Sequence, residues 1–148
     1  MIKNTKSLKI DDFIENTNIS EVFTLKNPKT NKMYICETLY SKFEDYSEKE
    51  KIKIMTDFSV ALQLSHPSIC KYYSFDPNAF SNGYPAIIRE FTSNGSLYGI
   101  INKEKKSNNI AGWNETKMLI NIYGIALGML YLHSHDILHQ NLTTKNVL

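Results

Sequence analysis

Hydrophobic and polar residues repeat with two different periods along this chain of 148 residues. In the first half, short runs rich in β-branched and aromatic residues are bounded by turn residues, which predicts strands joined by short turns. The predicted strands lie at Ile14–Phe23, which forms a hairpin, and at Met33–Leu39, Ile69–Phe75 and Pro85–Phe91. Turns are predicted at residues 27–31 and at Ser81-Asn82-Gly83. This succession predicts an antiparallel sheet.

Helical spacing of apolar residues predicts two helices. The first begins at Ser47, which forms an S-x-x-E capping box with Glu50. The second is capped by Asn114 and runs for about 20 residues, roughly 30 Å, to His133. The apolar residues at helical spacing are Met55, Phe58 and Leu62 in the first helix, and Met118, Ile122, Ile125, Met129 and Leu132 in the second.

Two features of the second helix concern its packing. Gly124 and Gly128 lie about one turn apart, and they either permit a close approach or are simply tolerated small residues. The chain ends shortly after this helix, at Leu148. We therefore expect the helix to leave an apolar patch exposed, and the chain to associate through it.

Composition narrows the class of protein. With 42% hydrophobic and 22% charged residues, the chain is expected to fold as one globular domain. A net charge of +2 with dispersed lysines argues against nucleic-acid binding, and no segment approaches the roughly 20 apolar residues of a membrane span. Cys36 and Cys70 fall in predicted buried strands and are expected to be reduced thiols of a cytoplasmic protein. A metal site at His133, His135, Asp136 and His139 is rejected because no complementary ligand pair with a recognised zinc spacing appears elsewhere in the sequence.

The last ten residues contain a candidate catalytic motif. His139, Leu142 and Asn146 have the spacing H-x-x-L-x-x-x-N, which is typical of the catalytic loop of protein kinases. In that loop an Asp accepts the proton of the substrate hydroxyl, and the Asn holds Mg²⁺. The Asp position is Asn141 here, and a neutral amide cannot accept a proton at pH 7. Taken alone, the motif is also compatible with an ordinary turn between a helix and a strand.

A second and more specific match lies in the middle of the chain. The segments HPSI, from His66, and REFTSNGSL, from Arg89, are similar to the fourth strand, fifth strand and hinge of tyrosine kinases and tyrosine-kinase-like serine/threonine kinases. From Phe13 to Leu148, the order of elements therefore resembles a protein kinase domain truncated after the catalytic loop. The resemblance implies an α+β fold, in which a five-stranded antiparallel N-lobe sheet with helix C precedes the first helices of a helical C-lobe. The implied divisions are an N-terminal extension at 1–12, the N-lobe at 13–92, and the hinge and start of the C-lobe at 93–148.

The resemblance also assigns residues to nucleotide binding. These residues are Val22 of the glycine-rich loop, Ile35, Glu37 at the ATP-binding Lys, Asp57 of helix C, Arg89 at the gatekeeper, and Glu90 and Thr92 of the hinge. Glu15, Thr17 and Ser20 replace the three glycines of that loop. A backbone without those glycines is less free to approach phosphates closely.

Glu37 inverts the charge of the Lys that it replaces. Since an unpaired buried carboxylate is costly, we expect Glu37 to form an ion pair with Arg89 on the adjacent strand. Alternatively, both side chains turn to solvent, and Asp57 is simply a solvated helix residue.

In the catalytic loop, the resemblance places catalytic roles at Asn141, His139 and Lys145 and a Mg²⁺ ligand at Asn146. The leading interpretation is a catalytically inactive kinase-like domain, a pseudokinase or degenerate fragment, that acts through protein interaction. No cofactor is expected, and ATP and Mg²⁺ bind only if the family function survives. The expected partner is a protein, for example a kinase, rather than nucleic acid or a membrane. The alternative is a fragment of an active ATP-dependent serine/threonine or tyrosine kinase whose remaining C-lobe is missing from this chain.

Overall fold

The computed structural model describes residues 8–80, 83–107 and 113–148. The strands are β1 (Lys9–Asn16), β2 (Ser20–Lys26), β3 (Met33–Leu39), β4 (Tyr72–Ala79) and β5 (Tyr84–Glu90). The helices are α1 (Glu48–Ala61), α2 (Leu97–Ser107) and α3 (Glu115–His133), with a short 3₁₀ helix at Phe43–Asp45.

The chain forms two units, which are described separately. The first unit holds the five strands and α1, and its two segments end at Ser65 and Phe91. The second holds His66–Cys70 together with Thr92–Leu148, and therefore contains α2, α3 and the C-terminal loop.

The first unit is built on one antiparallel sheet with the strand order β1-β2-β3-β5-β4. This confirms the predicted α+β class and the five-stranded sheet. The strand β3 has the predicted boundaries, whereas β4 begins at Tyr72, three residues later than predicted. The strand β1 begins at Lys9, ahead of the domain start predicted at Phe13. Of the predicted turn after β4, Ser81 and Asn82 lie outside the described residues.

The two faces of the sheet are assigned by its register. Phe23, Cys36 and Ile88 lie opposite one another on adjacent strands and share one face, where they form the buried core. The remaining core residues are Leu8, Leu25, Tyr34, Ala79 and Ala86. Burial raises the pKa of the Cys36 thiol to about 12, so this thiol stays protonated and unreactive at neutral pH.

The opposite face carries a row of directly paired residues, Val22, Glu37, Ile87 and Phe75. The helix α1 packs at this row, because the Phe58 ring stacks on Phe75 with centroids 4.5 Å apart and planes 6° apart. Glu37 therefore lies on the same face of the sheet as the residue that anchors α1.

The N-terminus of α1 has the predicted capping box. The Ser47 hydroxyl accepts a hydrogen bond from the Glu50 N–H at 3.4 Å, and the Glu50 carboxylate accepts one from the Ser47 N–H at 2.8 Å. The hydroxyl of Ser47 also donates to the same carboxylate, which lowers the pKa of Glu50. The local sequence alone therefore sets where this helix begins.

In the second unit, the segment 66–70 lies against α3. A Cβ added at Gly128 would lie 2.9 Å from the carbonyl oxygen of Ser68 and 3.3 Å from Cδ1 of Ile69. A Cβ at Gly124 would meet only the Ser68 hydroxyl, at 3.9 Å. The close-packing interpretation therefore applies to Gly128, while Gly124 has room for a methyl group.

The helix α3 begins after Asn114, whose side chain accepts from the Lys117 N–H at 3.0 Å as predicted. Large apolar side chains of this helix lie in solvent, with Leu119, Ile120, Ile122, Tyr123 and Leu130 between 62% and 66% exposed. The predicted apolar patch is therefore present. None of the helices in the described ranges is long and apolar enough to cross a membrane.

Both cysteines are free thiols. Cys36 is fully buried in β3, as predicted, whereas Cys70 is half-buried and precedes β4 instead of lying within a strand. Across the described residues, no group of three or more His, Cys, Asp or Glu could hold a metal ion.

Candidate functional site

The turn between β1 and β2 stands at the predicted glycine-rich loop and is held by side-chain hydrogen bonds. The Ser20 hydroxyl donates to Oε1 of Glu37 at 2.6 Å, although the two residues are 17 positions apart. The Thr17 hydroxyl lies 2.6 Å from the Ser20 hydroxyl and accepts from the N–H of Ser20 at 2.9 Å. Two of the three residues that replace the family glycines therefore form a network with Glu37.

The other predicted nucleotide positions in the first unit differ in exposure. Val22 and Ile35 are buried, with 6% and 4% of their surface exposed. Asp57 is exposed on α1, as the solvated-residue interpretation expects. Glu90 is also exposed, and its N–H donates to the carbonyl of Lys71 at 2.8 Å. The predicted hinge residue Thr92 is half-buried in the second unit.

The predicted ion pair between Glu37 and Arg89 is wrong. No ion pair joins these two residues, both of which lie in the described part of the chain. Glu37 lies opposite Ile87 on β5, whereas Arg89 lies two residues further along that strand. The Glu37 carboxylate instead accepts a hydrogen bond from the Ser20 hydroxyl. The Nη1 atom of Arg89 is buried without a hydrogen-bond partner among the described residues.

The predicted catalytic loop in the second unit is ordered by hydrogen bonds within itself. The Asn141 N–H donates to the carbonyl oxygen of His139 at 2.8 Å and to its Nδ1 at 3.3 Å. The Asn146 side-chain NH₂ donates to the Asn141 carbonyl at 2.8 Å. The loop thus brings Asn141, His139 and Asn146 together, and the side-chain oxygen of Asn146 is not used in that bond.

Lys145 does not join these three residues. Its Nζ lies over the Tyr98 ring of α2, 5.3 Å from the centroid, which is a cation–π contact. The first turn of α2 is also bonded to the loop, since the N–H groups of Leu97 and Tyr98 donate to the carbonyls of Val147 and Thr144. These bonds satisfy N–H groups that a helix N-terminus leaves open, so α2 positions the loop.

Sequence reasoning missed several of these features. Gln140, just before Asn141, has a φ of 61°, in the left-handed region that disfavours residues with a Cβ. The Lys145–Tyr98 contact and the Ser20–Glu37 bond join residues distant in sequence. The absence of glycine at Thr17 and Ser20 was visible in the sequence. The hydroxyls of these two residues, together with the Glu37 carboxylate, were the signal that could have predicted the hydrogen-bonded turn.

Comparison with known families agrees with this arrangement of sheet, helices and loop. The family model described as protein tyrosine and serine/threonine kinase matches residues 8–148. The chain belongs to this family. The match covers all five strands, the three helices and the loop that ends at Leu148.

Curated relatives match over a shorter range. Serine/threonine-protein kinase PLK4 of Xenopus tropicalis is 32% identical over 96 residues, which make up 65% of this chain and 9% of that protein. The PLK4 of Aedes aegypti is 33% identical over 96 residues, 65% of this chain and 11% of that protein. The PLK4 of Drosophila melanogaster is 27% identical over 96 residues, again 65% and 11%. The chain therefore matches only about a tenth of the length of these relatives.

Kinases of this family use ATP and Mg²⁺, and the first unit does not fit a triphosphate. The position of the cationic Lys holds the Glu37 carboxylate, which repels phosphate, and this carboxylate is engaged by Ser20. Asn146 keeps the amide that holds Mg²⁺ in the catalytic loop of this family. The charge at the Lys position, by contrast, is opposite to the one that a nucleotide needs.

Proposed function

We propose that this chain is a catalytically inactive protein kinase-like domain of the cytoplasm that acts through protein interaction. The observation that supports the proposal is Asn141, which stands at the position of the catalytic Asp in a loop held by its own hydrogen bonds. A neutral amide at this position cannot act as the base. General-base catalysis contributes about 10² to 10⁴ in rate, so its loss alone leaves little turnover.

A second group of residues supports the same proposal. Phosphoryl transfer depends mainly on positioning and on charge stabilisation of the phosphates. Glu37 supplies the opposite charge at the Lys position, and its carboxylate is held by Ser20. Inactivity is thus proposed from two independent losses, one in each unit.

Protein interaction is the remaining role, and the exposed face of α3 favours it. Leu119, Ile122 and Leu130 are each more than 60% exposed, and an apolar patch of this kind is typical of a protein–protein contact. A protein kinase is the partner class that we propose, because the chain itself belongs to the kinase family.

The second candidate function is a fragment of an active serine/threonine kinase. The Asn at the Mg²⁺ position, Asn146, favours it, and the PLK4 relatives are named serine/threonine-protein kinases. The matched part is a small share of those relatives, so their activity comes to this chain only as a proposal.

Phosphotransfer from ATP by the purified chain separates the two candidates. The inactive-domain proposal expects no product above background with Mg²⁺ or Mn²⁺ and a general protein substrate. Turnover that Asn146→Ala abolishes would overturn the proposal and establish the kinase alternative. The matched control is Asn121→Ala, since Asn121 is a partly buried amide on α3 outside the loop.

A further inference from the structure

The β1–β2 turn is attached to β3 at more than one point. Besides the Ser20–Glu37 bond, the Tyr40 N–H donates to the Ile19 carbonyl at 2.9 Å, and the Tyr40 hydroxyl donates to Oδ1 of Asn16 at 3.0 Å. Ser20 itself is fully buried. The turn is therefore closed onto β3 by the chain's own groups.

The direction of the hydrogen bonds follows from the charge of Glu37. An ionised carboxylate only accepts, so the single hydroxyl proton of Ser20 is directed to Glu37 at 2.6 Å. The Ser20 hydroxyl oxygen is then left to accept from the Thr17 hydroxyl, 2.6 Å away, which also donates to the Ser20 carbonyl oxygen at 3.2 Å. The Thr17 oxygen in turn accepts from the N–H groups of Ile19, at 3.2 Å, and Ser20, at 2.9 Å.

Three backbone donors of the turn are already bonded within it. The N–H groups of Ile19 and Ser20 are bonded to Thr17, and the Thr17 N–H donates to the Ser20 carbonyl at 2.8 Å. Successive free N–H groups in a turn are what binds an anion, and these three are already paired. An anionic group would have to break bonds that end on a carboxylate, which itself repels it.

We propose that Thr17, Ser20 and Glu37 form a latch, a carboxylate-anchored chain of hydrogen bonds that holds the β1–β2 turn closed and orders it without any ligand. The latch occupies three N–H groups of the turn, which are therefore not free to bind a phosphate. It goes beyond the proposed function, since the order of the turn is defined whether or not the chain transfers phosphate.

Amide hydrogen exchange in the absence of nucleotide tests the latch. Removing the acceptor in Glu37→Ala is expected to raise exchange at the amides of Thr17, Ile19 and Ser20 by about ten- to a hundredfold, as the loss of a hydrogen bond to a charged group implies. Glu37→Gln keeps an acceptor oxygen but not the charge, so its increase is expected to be smaller. The amides of β5 report whether the sheet remains folded.

The matched control is Glu21→Ala, which removes one negative charge from an exposed residue next to Ser20. Exchange at the three turn amides should stay within about twofold of the unmodified chain, because a surface substitution away from such bonds changes little. If Glu37→Ala does not fold, amide exchange is measured in Ser20→Ala and Glu37→Gln, where faster exchange at the turn amides is expected for the same reason. Turn amides that remain as protected in those variants as in Glu21→Ala would overturn the latch, and a failure of this kind would leave the phosphotransfer result untouched.

Discussion

The close approach of the segment 66–70 to α3 makes Gly128→Ala the most direct perturbation of the packing in the second unit. The added Cβ would stand 2.9 Å from the Ser68 carbonyl oxygen and 3.3 Å from Cδ1 of Ile69. Since the first contact is with backbone, relief requires the helix or the segment to shift. Overpacking of this kind typically costs about 1 to 3 kcal/mol.

The same substitution also has a favourable component. Replacing Gly by Ala inside a helix stabilises it by about 0.8 to 1.0 kcal/mol. Gly124→Ala receives this gain without the clash, because its Cβ would make only an ordinary contact at 3.9 Å. The two alanine variants should therefore differ by about 1 to 3 kcal/mol in free energy of unfolding, with Gly128→Ala the less stable.

Urea unfolding followed by circular dichroism at the helix band measures this difference. Adding Ile69→Val to Gly128→Ala removes Cδ1 of Ile69 and should restore part of the stability, but not the part that is due to the Ser68 carbonyl. A Gly128→Ala variant as stable as Gly124→Ala would refute the packing that we describe.

Three further predictions concern α1, the catalytic loop and α3. In the folded chain, the pKa of Glu50 lies below its ordinary value of 4.5. The stability that ionised Glu50 gives to α1 is therefore present above pH 4.5 and is lost as the pH falls through the folded pKa. The helical circular dichroism signal of Glu50→Gln should depend less on pH between 6 and 3 than that of the unmodified chain. The backbone of Gln140 is left-handed, with a φ of 61°. Gln140→Gly should therefore be at least as stable as the unmodified chain, and Gln140→Val should be less stable by about 1 kcal/mol. Equal thermal stability of the two variants would contradict the left-handed backbone. Light scattering should show that the chain associates as its concentration rises. The double variant Leu119→Glu with Ile122→Glu should reduce this association, whereas the control Glu115→Gln should not. A monodisperse monomer at tens of micromolar would contradict association through the apolar face of α3.

Local patterns predicted the elements well, and for a physical reason. The capping residues Ser47 and Asn114 act within three residues of themselves, so their helices begin where the sequence indicates. The run Met33–Leu39 is bounded by turn residues and has the predicted limits as β3. The start of β4 was misplaced because Ile69 and Cys70 are as apolar as strand residues, although they belong to the segment 66–70 that lies against α3.

The chemistry of the candidate site was harder to predict because it depends on contacts between distant residues. The family pattern located Glu37, Asn141 and Asn146, but it said nothing about what their side chains bind. We expected Arg89 to balance Glu37, since adjacent strands and opposite charges suggested it. The register places Arg89 two residues along β5 from the partner of Glu37, and a buried hydroxyl from the neighbouring strand is closer. Individual sequence positions were therefore enough to locate the site, whereas the hydrogen-bond partners of its side chains depend on the register of the strands.

Binding of Mg²⁺·ATP is the measurement that tests the account most directly. The first unit offers the Glu37 carboxylate where a nucleotide needs a cation, and the β1–β2 turn is closed by its own hydrogen bonds. Calorimetric titration of the purified chain should therefore give no saturable heat up to about 1 mM nucleotide, an affinity weaker than roughly −4 kcal/mol. Saturable micromolar binding would contradict the account and would restore an ATP-dependent function to this chain.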